Sequence, residues 1–175
     1  MEAVWLPFEL HPEIPPEGIP RDDYFPVAYR ARIDANLRAM SADAGLLMKP
    51  RDRLINTRAA LASAEFARDN GAFDAVHRAL FKAHWEGTAR LESVADLRRV
   101  AEGAGLDGEE LEAALDEGRY DELLDANRRE ATQVGIDAIP AHVFGRRFLV
   151  VGAHPYELFK QVVDRLNDQG PPLSP

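Results

Sequence analysis

Residues 135–144 read Gly-Ile-Asp-Ala-Ile-Pro-Ala-His-Val-Phe, and residues 150–155 read Val-Val-Gly-Ala-His-Pro. A glycine able to end a helix is followed by a short linker, an apolar residue, a proline and then residues of strand character. Proline removes a ladder donor and pushes the residue before it toward extended backbone, so a proline directly ahead of a strand leaves few local geometries. Ile139–Pro140 is therefore a candidate cis peptide bond, a form retained where a tight turn presents backbone to something else. The second constraint is an omission: the 175 residues include no cysteine. Disulfides, thiolate metal sites and a thiol nucleophile are thereby excluded within this chain.

Hydrophobic residues make up 46% and charged residues 29%, the balance of a soluble globular chain long enough for one domain, 1–175. With 21 Lys and Arg against 30 Asp and Glu, the formal charge is −9 and no basic block stands out. That argues against nucleic-acid binding and against docking on an anionic membrane. No apolar run approaches the roughly 20 residues of a membrane span. Met1 to Trp5 lack the basic stretch and apolar core of a secretory signal, so a cytoplasmic location is expected.

Val4 to Leu10 reads as a strand, with Pro7 placing it at an edge. His11 to Pro20 is a proline-rich connector. A helical pattern then covers about 22–134. Asp22 and Asp23 cap a helix to about Ala44, with Pro26 in its first turn; Asn56 opens one to Asn70, stopped by Gly71. Phe73, Val76, His77, Leu80, Phe81 and His84 repeat at helical spacing as far as Trp85. Further helices start at Ser93, Asp107 and Tyr120 and stop at Gly105, Gly118 and Gly135. After Pro140 the period becomes two, predicting strands 141–145 and 147–151 about a turn at Gly145-Arg146. A last helix covers 155–167, and the tail from Gly170 is expected to fray. One strand plus a hairpin needs a shared sheet with helices on its faces, so the class is α/β with a large helical insertion.

Few residues suggest chemistry. His11, His77, His84, His142 and His154 form no metal-ligand cluster; His77 and His84 share an apolar helix face and read as packing residues. His142 follows the proline by two and faces either a cleft or one side of the sheet. His154 stands where it can cap the final helix. Glu109-Glu110 and Asp121-Glu122 fall in first helical turns, where they complement the helix dipole. Trp5, Phe8, Phe73, Phe81 and Trp85 are expected in the core. The Gly103–Gly108 stretch is a helix stop, no phosphate loop is present, and no metal or cofactor is expected.

Several of these segments together resemble the DsbA-like thioredoxin family. The best match is to its FrnE-type members and to their relatives, the 2-hydroxychromene-2-carboxylate isomerases and kappa-class glutathione transferases. The resemblance is carried by the strand and proline-rich follower from Val4, by Asn56-Thr57-Arg58-Ala59-Ala60-Leu61, by Ala131 through Pro140, and by Val151-Gly152-Ala153-His154-Pro155. It runs from about Val4 to Leu166 and implies a thioredoxin-like sheet. It also implies a cis Pro140 that shapes a substrate groove, with the backbone of Ile139 pairing an extended peptide or thiol substrate. Asn56 is an N-cap on its own residues; its match to the glutathione-using relatives implies a place near a ligand.

The family's chain opens with a strand leading to Cys-x-x-Cys or a catalytic serine, whereas this sequence opens at the second strand. The expected consequence is a missing strand–helix unit of roughly 30 residues, and with it the nucleophile. A start placed upstream, a truncated relative, and a partner chain that completes the sheet all remain open. The vacant slot would expose two strand edges and an apolar face, so either 4–10 moves into it or a homodimer closes it. Three functions follow: a dithiol–disulfide oxidoreductase whose redox step lacks its cysteine here, a glutathione-dependent isomerase or transferase, and a non-catalytic binding module. The second is weakened because Gly152-Ala153-His154-Pro155 stands where those relatives carry a polar pair that grips glutathione.

Overall fold

Alanine dominates residues 59–67, and that stretch sits at the centre of a computed structural model that describes residues 3–168. The chain divides into two compact units, one up to Arg128 and one from Arg129 onward. The first holds two short antiparallel strands, β1 (Ile19–Pro20) and β2 (Arg53–Leu54), with Ile19 opposite Leu54. Its helices are α1 (Arg21–Tyr24), α2 (Val27–Asp43), α3 (Arg58–Asp69), α4 (Phe73–Glu86), α5 (Val94–Gly103), α6 (Gly108–Asp116) and most of α7 (Asp121–Gln133).

Helix α3 is buried on nearly every side, through Ala60, Ala62, Ser63, Ala64, Glu65, Phe66 and Ala67. Alanine carries the highest helix propensity and lets neighbouring helices approach closely. Phe66 supplies bulk to the same buried cluster as Val76 and Leu80 of α4, Leu97 of α5, Leu111 of α6 and Leu124 of α7. The helix ends follow local chemistry. Asp107 Oδ1 accepts the N–H groups of Glu109 at 2.8 Å and Glu110 at 3.1 Å, capping α6. Gly105, at φ 82°, lets the Leu106 N–H reach back to the Ala101 carbonyl and its own N–H to that of Glu102, and Gly118 closes α6 in the same way.

Three expectations need correction here. Residues 4–10 form no strand. Pro7 cannot donate to a ladder, and the segment is held by side chains instead: Arg68 donates to the Trp5 carbonyl at 2.7 Å and Arg58 to the Glu9 carboxylate at 3.1 Å. The segment therefore fills no vacant place in a sheet. The helix expected over 22–44 breaks into α1 and α2, because Pro26 forces Phe25 into extended backbone at φ −113° and ψ 135°. Trp5 and Phe81 are more than half exposed rather than in the core, while Phe8, Phe73 and Trp85 are partly buried. Trp5 lies on the His77 ring at 5.0 Å, and His77 in turn contacts Phe73 and Phe81, so these aromatics make a surface cluster.

The second unit contains the end of α7, the hairpin β3 (Ala141–Phe144) and β4 (Phe148–Val151), and α8 (Tyr156–Asp168). Ala141 pairs with Val151 and Phe144 with Phe148. Gly145 and Arg146 both have positive φ, 55° and 58°, the primed turn that matches strand twist. Phe159 of α8 lies on His142 at 4.8 Å, which fixes the covered face of the hairpin. The tail expected to fray from Gly170 lies outside the described residues.

The core packing predicts that Leu111→Ala, at a fully buried site, destabilises the protein by about 2–5 kcal/mol in urea unfolding. Arg58→Ala leaves the buried Glu9 carboxylate without its cation and is expected to cost about 3 kcal/mol, most of it recovered in the double variant with Glu9→Leu. Burial holds His77 and His84 below the ordinary value of 6.5. The unfolded chain therefore binds protons that the folded one refuses, so stability is complete above pH 6.5 and falls as the pH drops below it. Replacing His84 with Phe should flatten that slope in chemical unfolding measured across the range.

Candidate functional site

Gly135, at φ 81°, ends α7, and its neighbour Ile136 donates to the Ala131 carbonyl at 2.9 Å. Five residues later the Ile139–Pro140 peptide bond is cis. The Pro140 carbonyl accepts the Gly152 N–H at 2.7 Å, tying the entry of β3 to the exit of β4. Ile139 itself is 51% exposed. Among the described residues, none hydrogen-bonds to its backbone N–H or carbonyl. Such groups are satisfied by water or by an arriving chain. The arrangement can thus offer one donor and one acceptor, beside an apolar side chain, to an extended segment.

The alternation after Pro140 decides which side chains surround that point. His142 and Phe144 turn toward α8, where Phe159 packs on both rings at 4.8 and 6.1 Å. His142 Nδ1 is buried without a partner among the described residues. Of the two readings for His142, the packed sheet residue is the one found. The opposite face carries Val143, 54% exposed, and Leu149, paired with it across the hairpin and 40% exposed. The sequence reading foresaw an apolar face beside the vacant slot but did not assign it to these residues. The signal for it was present, since Phe148 to Val151 is apolar at every position and leaves neither face polar. His154 does not cap α8. Its Nε2 lies 2.9 Å from the Val151 carbonyl oxygen, which can only accept, so that nitrogen carries the proton.

Asn56 belongs to the first unit, Ile139 and Pro140 to the second, and each is placed within its own unit. Asn56 stands one position ahead of the residue that caps α3, which is Thr57. Its Oδ1 still accepts the Arg58 N–H at 2.9 Å, while Nδ2 donates to the carbonyl of the buried Ile14 at 2.7 Å. The amide therefore joins the connector to the start of α3. Next to it, Arg58 reaches Glu9, Asp121 at 2.9 Å and Asp125 at 3.0 Å. Against the opposing effect of burial, Asp125 and Asp121 hold the guanidinium far above its ordinary proton affinity. Tyr120 donates to Asp69 at 2.8 Å; burial and that bond raise its hydroxyl to about 12. Both contacts are structural fastenings and neither is poised for proton transfer.

No group of three or more metal-ligating side chains exists among the described residues. No described helix is long and apolar enough to cross a membrane. A groove of about 340 Å³ runs between α4 and α5 over Ala75, Ala79 and Ala104. Lys82, Glu86, Thr88 and Arg99 also line it, and Arg99 is already paired with Asp96.

Comparison with known proteins bears on the family and the fold. A family model described as a DSBA-like thioredoxin domain matches residues 1–164. Among solved structures, the crystal structure of a probable DsbA oxidoreductase from Streptomyces coelicolor is similar to the chain, with 28% sequence identity and a TM-score of 0.84. That match covers 96% of this chain and 76% of the other. No curated protein matches. With the family model spanning nearly its whole length, the chain belongs to the DsbA-like thioredoxin domain family.

Proposed function

We propose that the chain supplies the substrate-holding part of a FrnE-type, DsbA-like thiol–disulfide oxidoreductase, in which the backbone of Ile139 pairs with an extended peptide substrate. The observation that carries this reading is the unpartnered, exposed backbone of Ile139 at the mouth of β3. Membership of the DsbA-like family supports it, because the solved relative is itself described as a probable DsbA oxidoreductase. The 175 residues contain no thiol, so no exchange step runs through their own side chains. Pro140 holds the strand entry, and its carbonyl is already committed to Gly152, which leaves the peptide-pairing role to Ile139. Asn56, with its amide spent on Ile14 and Arg58, is assigned to holding the connector.

Binding without turnover is the second reading, favoured by the lack of cysteine. A glutathione-dependent isomerase or transferase ranks below both. His154, at the position where those enzymes carry polar groups for glutathione, is bonded to Val151.

Main-chain pairing predicts a backbone effect in the ligand. A labelled extended peptide should bind with an affinity that drops about tenfold when the one amide facing Ile139 is N-methylated, the loss expected for about one hydrogen bond. Anisotropy titrations with the methyl group walked along the peptide read this out; a flat profile would sink the assignment. In the same preparation a disulfide-reduction assay is expected to give no turnover, and turnover would show that the chain acts without a thiol of its own.

A further inference from the structure

The connector of residues 44–52, between α2 and β2, runs across the C-terminal end of α4. The Lys49 N–H donates to the Trp85 carbonyl at 2.9 Å, and Arg51 Nη1 donates to the His84 carbonyl at 3.2 Å. Carbonyls in the last turn of a helix lack partners within it, and a cation there complements the dipole. Gly87 keeps the approach open, since a Cβ at that position would meet Arg51 Nη1 at 3.3 Å. Apolar burial adds little to this hold: Leu46 and Leu47 are exposed, and of residues 44–50 only Met48 is partly buried.

Two buried polar atoms at the same helix end have no hydrogen-bond partner among the described residues, His84 Nδ1 and Glu92 Oε2. The Glu92 side chain, in the loop ahead of α5, is 6% exposed, and its other oxygen accepts from Arg90 Nε at 3.1 Å. Burial and then the Arg51 guanidinium hold the His84 ring below 6.5, with Glu92 acting against them, so the ring is neutral at physiological pH.

We propose that protonation of His84 releases the connector from the end of α4, so that Arg51, His84 and Glu92 form a clasp that acid opens. A proton taken from solvent places a second cation beside Arg51. Arginine cannot shed its own charge, so the guanidinium must move and not titrate. In imidazolium both ring nitrogens donate, and Glu92 Oε2 is the buried acceptor left free for Nδ1–H. Repulsion at Arg51 and the new bond at Glu92 act in the same direction. The guanidinium withdraws from the His84 carbonyl, and the Lys49 bond one turn of the connector away goes with it. Linkage sets the sign: the closed clasp refuses a proton that the open one accepts. The connector is therefore held above pH 6.5 and freed as the pH falls below it.

The clasp lies wholly within the first unit and owes nothing to Ile139. Amide exchange of the full chain, followed by NMR and corrected for intrinsic rates, reads it directly. Protection of the Lys49 amide should fall about tenfold between about pH 7.5 and about pH 5, a change that one linked proton can drive. The fall should share the midpoint of the His84 ring titration and exceed the change at the core amide of Leu124, which is bonded to Tyr120. His84→Gln, which takes up no proton, should keep Lys49 protected throughout. Arg51→Gln should raise the His84 midpoint and Glu92→Gln should lower it, with circular dichroism unchanged in both. Protection that ignores pH, or that falls equally in His84→Gln, overturns the proposal, as does a His84 midpoint indifferent to Arg51→Gln.

Discussion

Burial of α3 on all sides is what the first unit depends on. A helix surrounded by other helices must be apolar around its circumference or must pair each polar group it buries. Here alanine supplies most of the surface, Phe66 supplies the volume, and the two polar exceptions are answered within reach. Ser63 donates to the Ala59 carbonyl at 2.8 Å, and Glu65 is held by Arg68 at 2.8 Å. Two arginines near the ends of this helix, Arg58 and Arg68, extend outward and hold the N-terminal segment. One packing constraint thus organises both the helices and the irregular N-terminal stretch. Fully burying side chains such as Leu97 and Leu111 contributes on the order of 1.5–3 kcal/mol each, while exposed ion pairs such as Lys160–Asp164 are screened by solvent and contribute little.

In the second unit the controlling constraint is hydrogen-bond satisfaction of the backbone. The hairpin closes through its ladder, through the primed turn at Gly145-Arg146, and through the bond from Gly152 to Pro140. Among the described residues, Ile139 is one of the places where the backbone stays open. An unpaired backbone group of this kind can take up an extended ligand, whereas a paired strand has nothing left to offer one. The two fastened carboxylate systems, at Arg58 and at Tyr120, show the reverse case. Their partners are complete, and their altered proton affinities reflect structure rather than chemistry.

Much of the fold was legible because its signals are local. The glycine stops at 105, 118 and 135, the cap at Asp107, the change of period after Pro140 and the turn at 145–146 each arise within a few residues of one another. Apart from the helix break at Pro26, which is local, the readings that failed needed partners distant in sequence. Val4 to Leu10 has strand composition, but no strand in the described residues pairs with it, and two arginines some 50 to 60 residues away claim it instead. Trp5 and Phe81 have core composition yet lie on a surface cluster around His77. Strands β1 and β2 were not foreseen, since two residues each leave no periodic trace.

The candidate site divides along the same line. The sequence by itself determined that a proline follows Ile139, that an apolar hairpin follows the proline, and that no thiol exists among these residues. Those are matters of residue identity and of nearest-neighbour sterics. Only the tertiary structure decided which hairpin face α8 covers, that His142 turns inward with it, that Asn56 is spent on Ile14, and that Ile139 is left unpartnered. Each of these turns on whether a polar group or an apolar face meets a neighbour, and neighbours brought together by packing are invisible to a pattern of period two or 3.6.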